Sequence, residues 1–97
     1  MPTFIGLVKL TEQGMRNVKE TTQRAKNFRE MAELAGLKVR ELLWTMGRYD
    51  LVLVVDAPDD KTMSRVALRL GMLGNAKTET LKAFSAQDMD EILKGLP

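Results

Sequence analysis

The chain of 97 residues contains neither cysteine nor histidine. The first absence removes disulfides, thiolate metal sites and a thiol nucleophile, and it suits a reducing cytoplasm, the compartment expected here. The second removes the commonest general base and metal ligand, and the only side chain that ordinarily titrates near neutrality. Charge of one sign is also scarce: 15 Lys and Arg against 13 Asp and Glu leave a net +2. That is small for a protein that grips phosphates, and one Trp, one Tyr and three Phe offer little for base stacking, so no nucleic-acid partner is expected. No apolar run approaches the roughly 20 residues of a membrane span, and no basic run leading into a long apolar stretch marks a secretory signal.

What remains is an ordinary globular composition, 44% hydrophobic and 29% charged, read as a single domain over residues 1–97. At this length core burial is marginal and association with a second copy helps. Thr3 to Leu10 is apolar on both faces and reads as a central strand, with Gly6 marking a close approach of backbone or ligand. Thr11 is a helix N-cap, and Met15, Val18, Thr22, Ala25, Phe28, Ala32 and Ala35 make one helical stripe that ends at Gly36. The opposite side is charged, with Arg16–Glu20 and Lys26–Glu30 four apart, as on a solvated face. Leu37 to Met46 reads as a second strand, polar at its start like an edge; Leu51 to Asp56 is apolar on both faces. Ala57-Pro58-Asp59-Asp60 opens a helix that buries Met63, Val66, Ala67, Leu70 and Leu73 before Gly74-Asn75. Lys77 to Ser85 alternates as a strand. Ser85 and Asp88 have capping-box spacing before a short helix with Met89, Ile92, Leu93 and Leu96 on one side.

The order β-α-β-β-α-β with right-handed crossovers predicts an α+β, ferredoxin-like fold: a four-stranded antiparallel sheet with the two doubly apolar strands at its centre. Two helices cover one face, and the short last helix cannot cover the other. Side chains such as Leu7 or Val8, Leu42 or Leu43 and Val52 or Val54 are then left to a partner, most economically a second copy packed sheet to sheet.

Gly47-Arg48-Tyr49-Asp50 before an apolar strand, then Ala57-Pro58-Asp59-Asp60, then Thr80-Leu81-Lys82-Ala83-Phe84-Ser85, resemble the GYD domain family. The opening strand closed by Thr11-Glu12-Gln13-Gly14 fits the same pattern, so the resemblance spans the chain. It implies a dimeric α/β barrel of ferredoxin-like halves, with no common activity. The hairpin also resembles the effector-binding domain of Lrp/AsnC-type regulators, which bind small molecules between subunits. No helix-turn-helix accompanies it, so a DNA-binding role is not implied.

The chemistry-bearing residues gather at the hairpin. Arg48 offers a planar fork suited to carboxylate or phosphate, Asp50 acceptors, and Tyr49 a ring and a hydroxyl. All three also have structural uses in a turn. Trp44 shares the parity of Arg40, Leu42 and Met46 and is a candidate to line a cavity; Lys9, Arg40 and Lys82 are candidates to bring positive charge to its mouth. Asp56, Asp59 and Asp60 are explained as helix caps rather than as a metal site, and no cofactor is expected. Three readings stay open: a homo-oligomer binding a small polar or anionic molecule near Gly47–Asp50 and the subunit junction, a cofactor-free enzyme of the monooxygenase- or isomerase-like kind using Asp50, Tyr49 or a lysine, and a purely structural assembly module.

Overall fold

The computed structural model describes all residues, 1–97. Its elements are β1 (Thr3–Leu10), α1 (Glu12–Arg16), a 3-10 turn (Val18–Glu20), α2 (Thr21–Leu34), β2 (Lys38–Trp44), β3 (Leu51–Asp56), α3 (Asp60–Met72), β4 (Ala76–Ala83) and α4 (Ala86–Lys94). The strands pair antiparallel in the order β2-β3-β1-β4, so β1 and β3 are central, as their apolar character predicts. This is the ferredoxin-like arrangement, and within one chain the sheet is open, not a closed barrel.

The two faces of the sheet are unequal. Phe4 and Val8 of β1 and Leu51, Leu53 and Val55 of β3 point under α2 and α3, and with Phe28, Ala32, Met63 and Val66 they make the core. Gly6 keeps this face low at its centre: a Cβ there would lie 3.4 Å from Leu53 Cδ1, so what approaches Gly6 is a packed side chain and not the backbone or ligand expected. Ile5, Leu7, Val52 and Val54 alternate onto the other face, where Leu43 and Leu81 join them through their registers with Val52 and Ile5. There Leu43 is 55% and Leu81 48% exposed. No element of the chain covers this face.

The long first helix expected from the stripe is broken instead. Thr11 caps α1 by accepting from Gly14 N at 3.1 Å, and its own N–H and hydroxyl donate to the carbonyls of Asn75 and Gly74. Gly14 lies so tightly on the Asn75 carbonyl that a Cβ there would overlap it. This anchor fixes the direction of α1, and the chain must turn through Asn17 and the 3-10 segment before α2 can lie along the sheet. Helix-end carbonyls left open by the break need donors. The guanidinium of Arg24 supplies them, donating to Asn17 O at 2.7 Å and Gly14 O at 3.2 Å. The break also re-pairs the charges: Arg16 meets Glu12 at 3.5 Å and Arg24 meets Glu20, while Met15 and Val18 fall outside the core.

Asp59 caps α3, its carboxylate accepting from Thr62 N at 2.7 Å, so Pro58 stands just ahead of the helix rather than inside it. Ser85 and Asp88 form the expected capping box on α4. α4 buries none of its residues and leads away from the sheet, which accounts for a long axis of 51 Å against 30 and 19 Å.

Candidate functional site

The hairpin between β2 and β3 is closed by the chain itself. Thr45 N donates to Asp50 O at 2.8 Å, the Thr45 hydroxyl to Tyr49 O at 2.6 Å, and Gly47 turns the chain with φ +103°. Asp50 ties this hairpin to β1: its N–H donates to Val8 O, and its carboxylate accepts from Leu10 N, both at 2.8 Å. The carboxylate thus continues the β1–β3 ladder where main-chain pairing ends, which is a structural use of that residue.

Tyr49 has a different role. Its hydroxyl donates to Glu79 Oε2 at 2.9 Å. Glu79 sits on β4 opposite Leu7, on the uncovered face, so the Tyr49 side chain spans the end of β1 to reach it. That bond, with some loss of hydration and the neighbouring negative charge, raises the Tyr49 phenol above its usual pKa, and the Arg48 cation acts in the opposite sense. The Arg48 guanidinium carbon lies 5.8 Å from the centre of the Tyr49 ring, within cation–π range. Lys9 lies on the same face and directly opposite Lys77 of β4. Like charges so placed repel one another.

Arg48, Tyr49 and Asp50 of the hairpin thus stand at the end of the sheet where Lys9 closes the open face of β1. Trp44 and Arg40 do not join them. In β2 the register runs Val39 to Val55 and then Glu41 to Val54, leaving Arg40 as an extra residue in a bulge. Beyond it Leu42 and Trp44 face the helices opposite Leu53 and Leu51, and the Trp44 indole N–H donates to the Thr21 hydroxyl at 3.1 Å. Arg40 instead reaches Asp56 Oδ1 at 3.2 Å and the Thr3 hydroxyl at 3.4 Å, at the far end of the sheet. The bond from the Thr3 hydroxyl, and after it those from Arg40, hold the Asp56 carboxyl below its ordinary pKa against a partial loss of hydration.

The three acids around the start of α3 go to separate partners: Asp56 to Thr3 and Arg40, Asp59 to the helix N-terminus, and Asp60 to Lys82 at 3.4 Å. The amide of Thr62 lowers the pKa of Asp59. Lys82 therefore serves α3 rather than a pocket mouth. Glu79 and Lys77 escaped the sequence reading, although pairing β4 antiparallel to β1 in register would have placed them opposite Leu7 and Lys9.

A family model described as GYD domain matches residues 4–93. The chain is 37% identical over 95 residues to the glutamine synthetase and cystathionine beta-lyase binding protein of Thermus thermophilus, covering 97% of this chain and 100% of that protein. The crystal structure of TTHA0845, also from Thermus thermophilus, is similar with a TM-score of 0.56 at 27% identity, over 89% of this chain and 96% of that one. No helix is long and apolar enough to cross a membrane.

Proposed function

The chain belongs to the GYD domain family, and from that premise we propose that it is a cytoplasmic, homodimeric protein-binding module. Two copies pack their open sheet faces together, and the assembled pair engages an enzyme. The observation that carries this reading is the uncovered stripe of Ile5, Leu7, Leu43, Val52, Val54 and Leu81. Four strands at about 4.8 Å spacing and six to eight residues at about 3.3 Å rise make a face of about 450 Å², its apolar centre flanked by Glu41, Glu79, Lys9 and Lys77. A face of that size with an apolar centre is comparable to the largest patches monomers leave to water, about 300–600 Å². Burying it on two copies removes about 900 Å², just short of the roughly 1,000 Å² of a specific interface. The apolar side of α4, with Met89, Ile92 and Leu93 all exposed, adds to the area that a second copy covers.

The enzyme partner is inferred from the relative, whose name states that it binds glutamine synthetase and cystathionine beta-lyase. In the pair, Arg48, Tyr49 and Lys9 lie at the rim of the joined faces, where polar anchors ring an apolar centre. A second reading, a small anionic ligand at that rim, is favoured by Lys9 facing Lys77, two ammonium groups that a shared anion would relieve.

Native mass spectrometry tests both. The purified protein is measured alone and then mixed with purified glutamine synthetase and cystathionine beta-lyase of the same organism. We expect a dimer, a defined complex with one of the enzymes, and dissociation of the dimer in Leu43→Glu without loss of circular dichroism. A reproducible small added mass lost in Lys9→Glu would support the ligand reading instead. A wild-type monomer at micromolar concentration that ignores both enzymes overturns the proposal.

A further inference from the structure

On the opposite side of the sheet, α2 and α3 leave a cavity of about 370 Å³ between them and the strands. Its origin is in the sequence. α2 turns Thr21, Ala25 and Phe28 inward, and the first two are too short to fill the space above Leu42 and Leu51. Eleven of the 16 lining residues are hydrophobic. The polar remainder carries charge of one sign only: Arg24 and Arg69, with no acid. Arg24 is committed to Asn17 O and Gly14 O and is partly offset by Glu20 at 3.9 Å. Arg69, an exposed residue of α3 at the edge of the cavity, takes part in none of the ion pairs of the molecule.

We infer that this cavity is a binding site for a monocarboxylate with an apolar body, the body lying between α2 and the sheet and the carboxylate on Arg69. The volume lies at the lower end of small-molecule sites, which span about 300–1,000 Å³ and combine apolar walls with a few polar groups that set orientation. A guanidinium fork matches a carboxylate in shape as well as charge. The hydroxyl of Thr21, which already accepts from the Trp44 indole, keeps its own proton free to donate toward the cavity it lines. Trp44, the one tryptophan of the chain, thereby becomes a reporter at the edge of the site. The cavity is across the sheet from the surface assigned to protein contacts, so neither proposal depends on the other.

The probe is decanoate, with decanol as its uncharged counterpart, titrated into the intact protein at pH 7 and followed by Trp44 emission and calorimetry. Saturable binding at one decanoate per chain is expected, with decanol at least about tenfold weaker because it cannot form the charged pair. Arg69→Gln, an exposed change, is expected to weaken decanoate about tenfold and leave decanol unchanged. Ala25→Phe, which fills the space, is expected to abolish both. Equal affinity for decanoate and decanol, or an Arg69→Gln protein that binds decanoate as well as the wild type, overturns the carboxylate assignment. Decanoate binding that survives in folded Ala25→Phe, or no saturable binding below about 1 mM, overturns the site.

Discussion

Replacing Gly14 by alanine tests the anchor that sets the path of the first helical segment. In an ordinary helix interior this change is favourable by about 1 kcal/mol, because alanine loses less backbone entropy than glycine and has the best helix propensity. Here the new methyl would overlap the Asn75 carbonyl, so the α3–β4 connection must move. That movement strains Thr11 N to Asn75 O at 3.0 Å, Thr11 Oγ1 to Gly74 O at 2.6 Å, and Gln13 Nε2 to Asn75 Oδ1 at 3.0 Å. Losing two or three such bonds costs about 1 kcal/mol each, more where a partly buried group is left without a partner. The net expectation is a loss of about 1–2 kcal/mol after the propensity gain is subtracted. For a domain of this size that lowers Tm by about 5–15 °C. Gly71 is the control. It lies in α3 with open space where a Cβ would stand, so Gly71→Ala should stabilise by up to about 1 kcal/mol. Urea unfolding at matched protein concentration, which holds any association constant, measures both. The two substitutions must differ in sign. A Gly14→Ala protein as stable as the wild type or more so would refute the close-packed anchor.

Three further expectations concern the sheet and its hairpin. Asp50→Ala should destabilise by about 1–3 kcal/mol because Leu10 N loses its acceptor, while Asp50→Asn, which keeps an amide oxygen there, should cost less in the same urea assay. The Asp56 pKa is lowered in the folded state, so its contribution is present above the unfolded value of about 3.9 and is lost as pH falls through the folded value. The Tm difference between wild type and Asp56→Asn should therefore be largest near neutrality and shrink below about pH 4. Tyr49 is the one tyrosine, so absorbance titration of phenolate reads it alone. Its midpoint should lie above the usual value, and Glu79→Gln should bring it down, whereas an unchanged midpoint would mean that the hydroxyl does not rest on Glu79 in solution.

What could be read from the sequence was what depends on near neighbours. The doubly apolar runs of β1 and β3, the capping box at Ser85 and Asp88 and the stop at Gly36 are local signals, and each element stands close to where those signals put it. The break at Asn17 depends on a contact between residues about sixty positions apart, Gly14 against Asn75, and helical periodicity carries no record of it. The same distinction divides the candidate residues. Asp50 and Tyr49 stand out in the sequence because turn chemistry is visible in a short motif. That Asp50 serves β1 while Tyr49 reaches Glu79 follows only from the strand order.

The position of Arg40 was nevertheless written in the chain in a form that simple alternation misses. A strand whose helix-facing residues are Val39, Leu42 and Trp44 takes a step of three and then a step of two. A regular strand, with its period of two, cannot put all three on one face, so one residue between Val39 and Leu42 has to leave the ladder. Had parity been kept from Val39 onward, Leu42 and Trp44 would have turned with Arg40 toward the open face, and Glu41 would have pointed at the core. Excluding a carboxylate from the core and seating Leu42 against it both favour the extra residue. Arg40 is the residue released, and its long side chain lies along the edge of the sheet to meet Asp56 and Thr3. The charge that parity assigned to the neighbourhood of Trp44 therefore works at the opposite end of the sheet, holding the start of β1 to the end of β3.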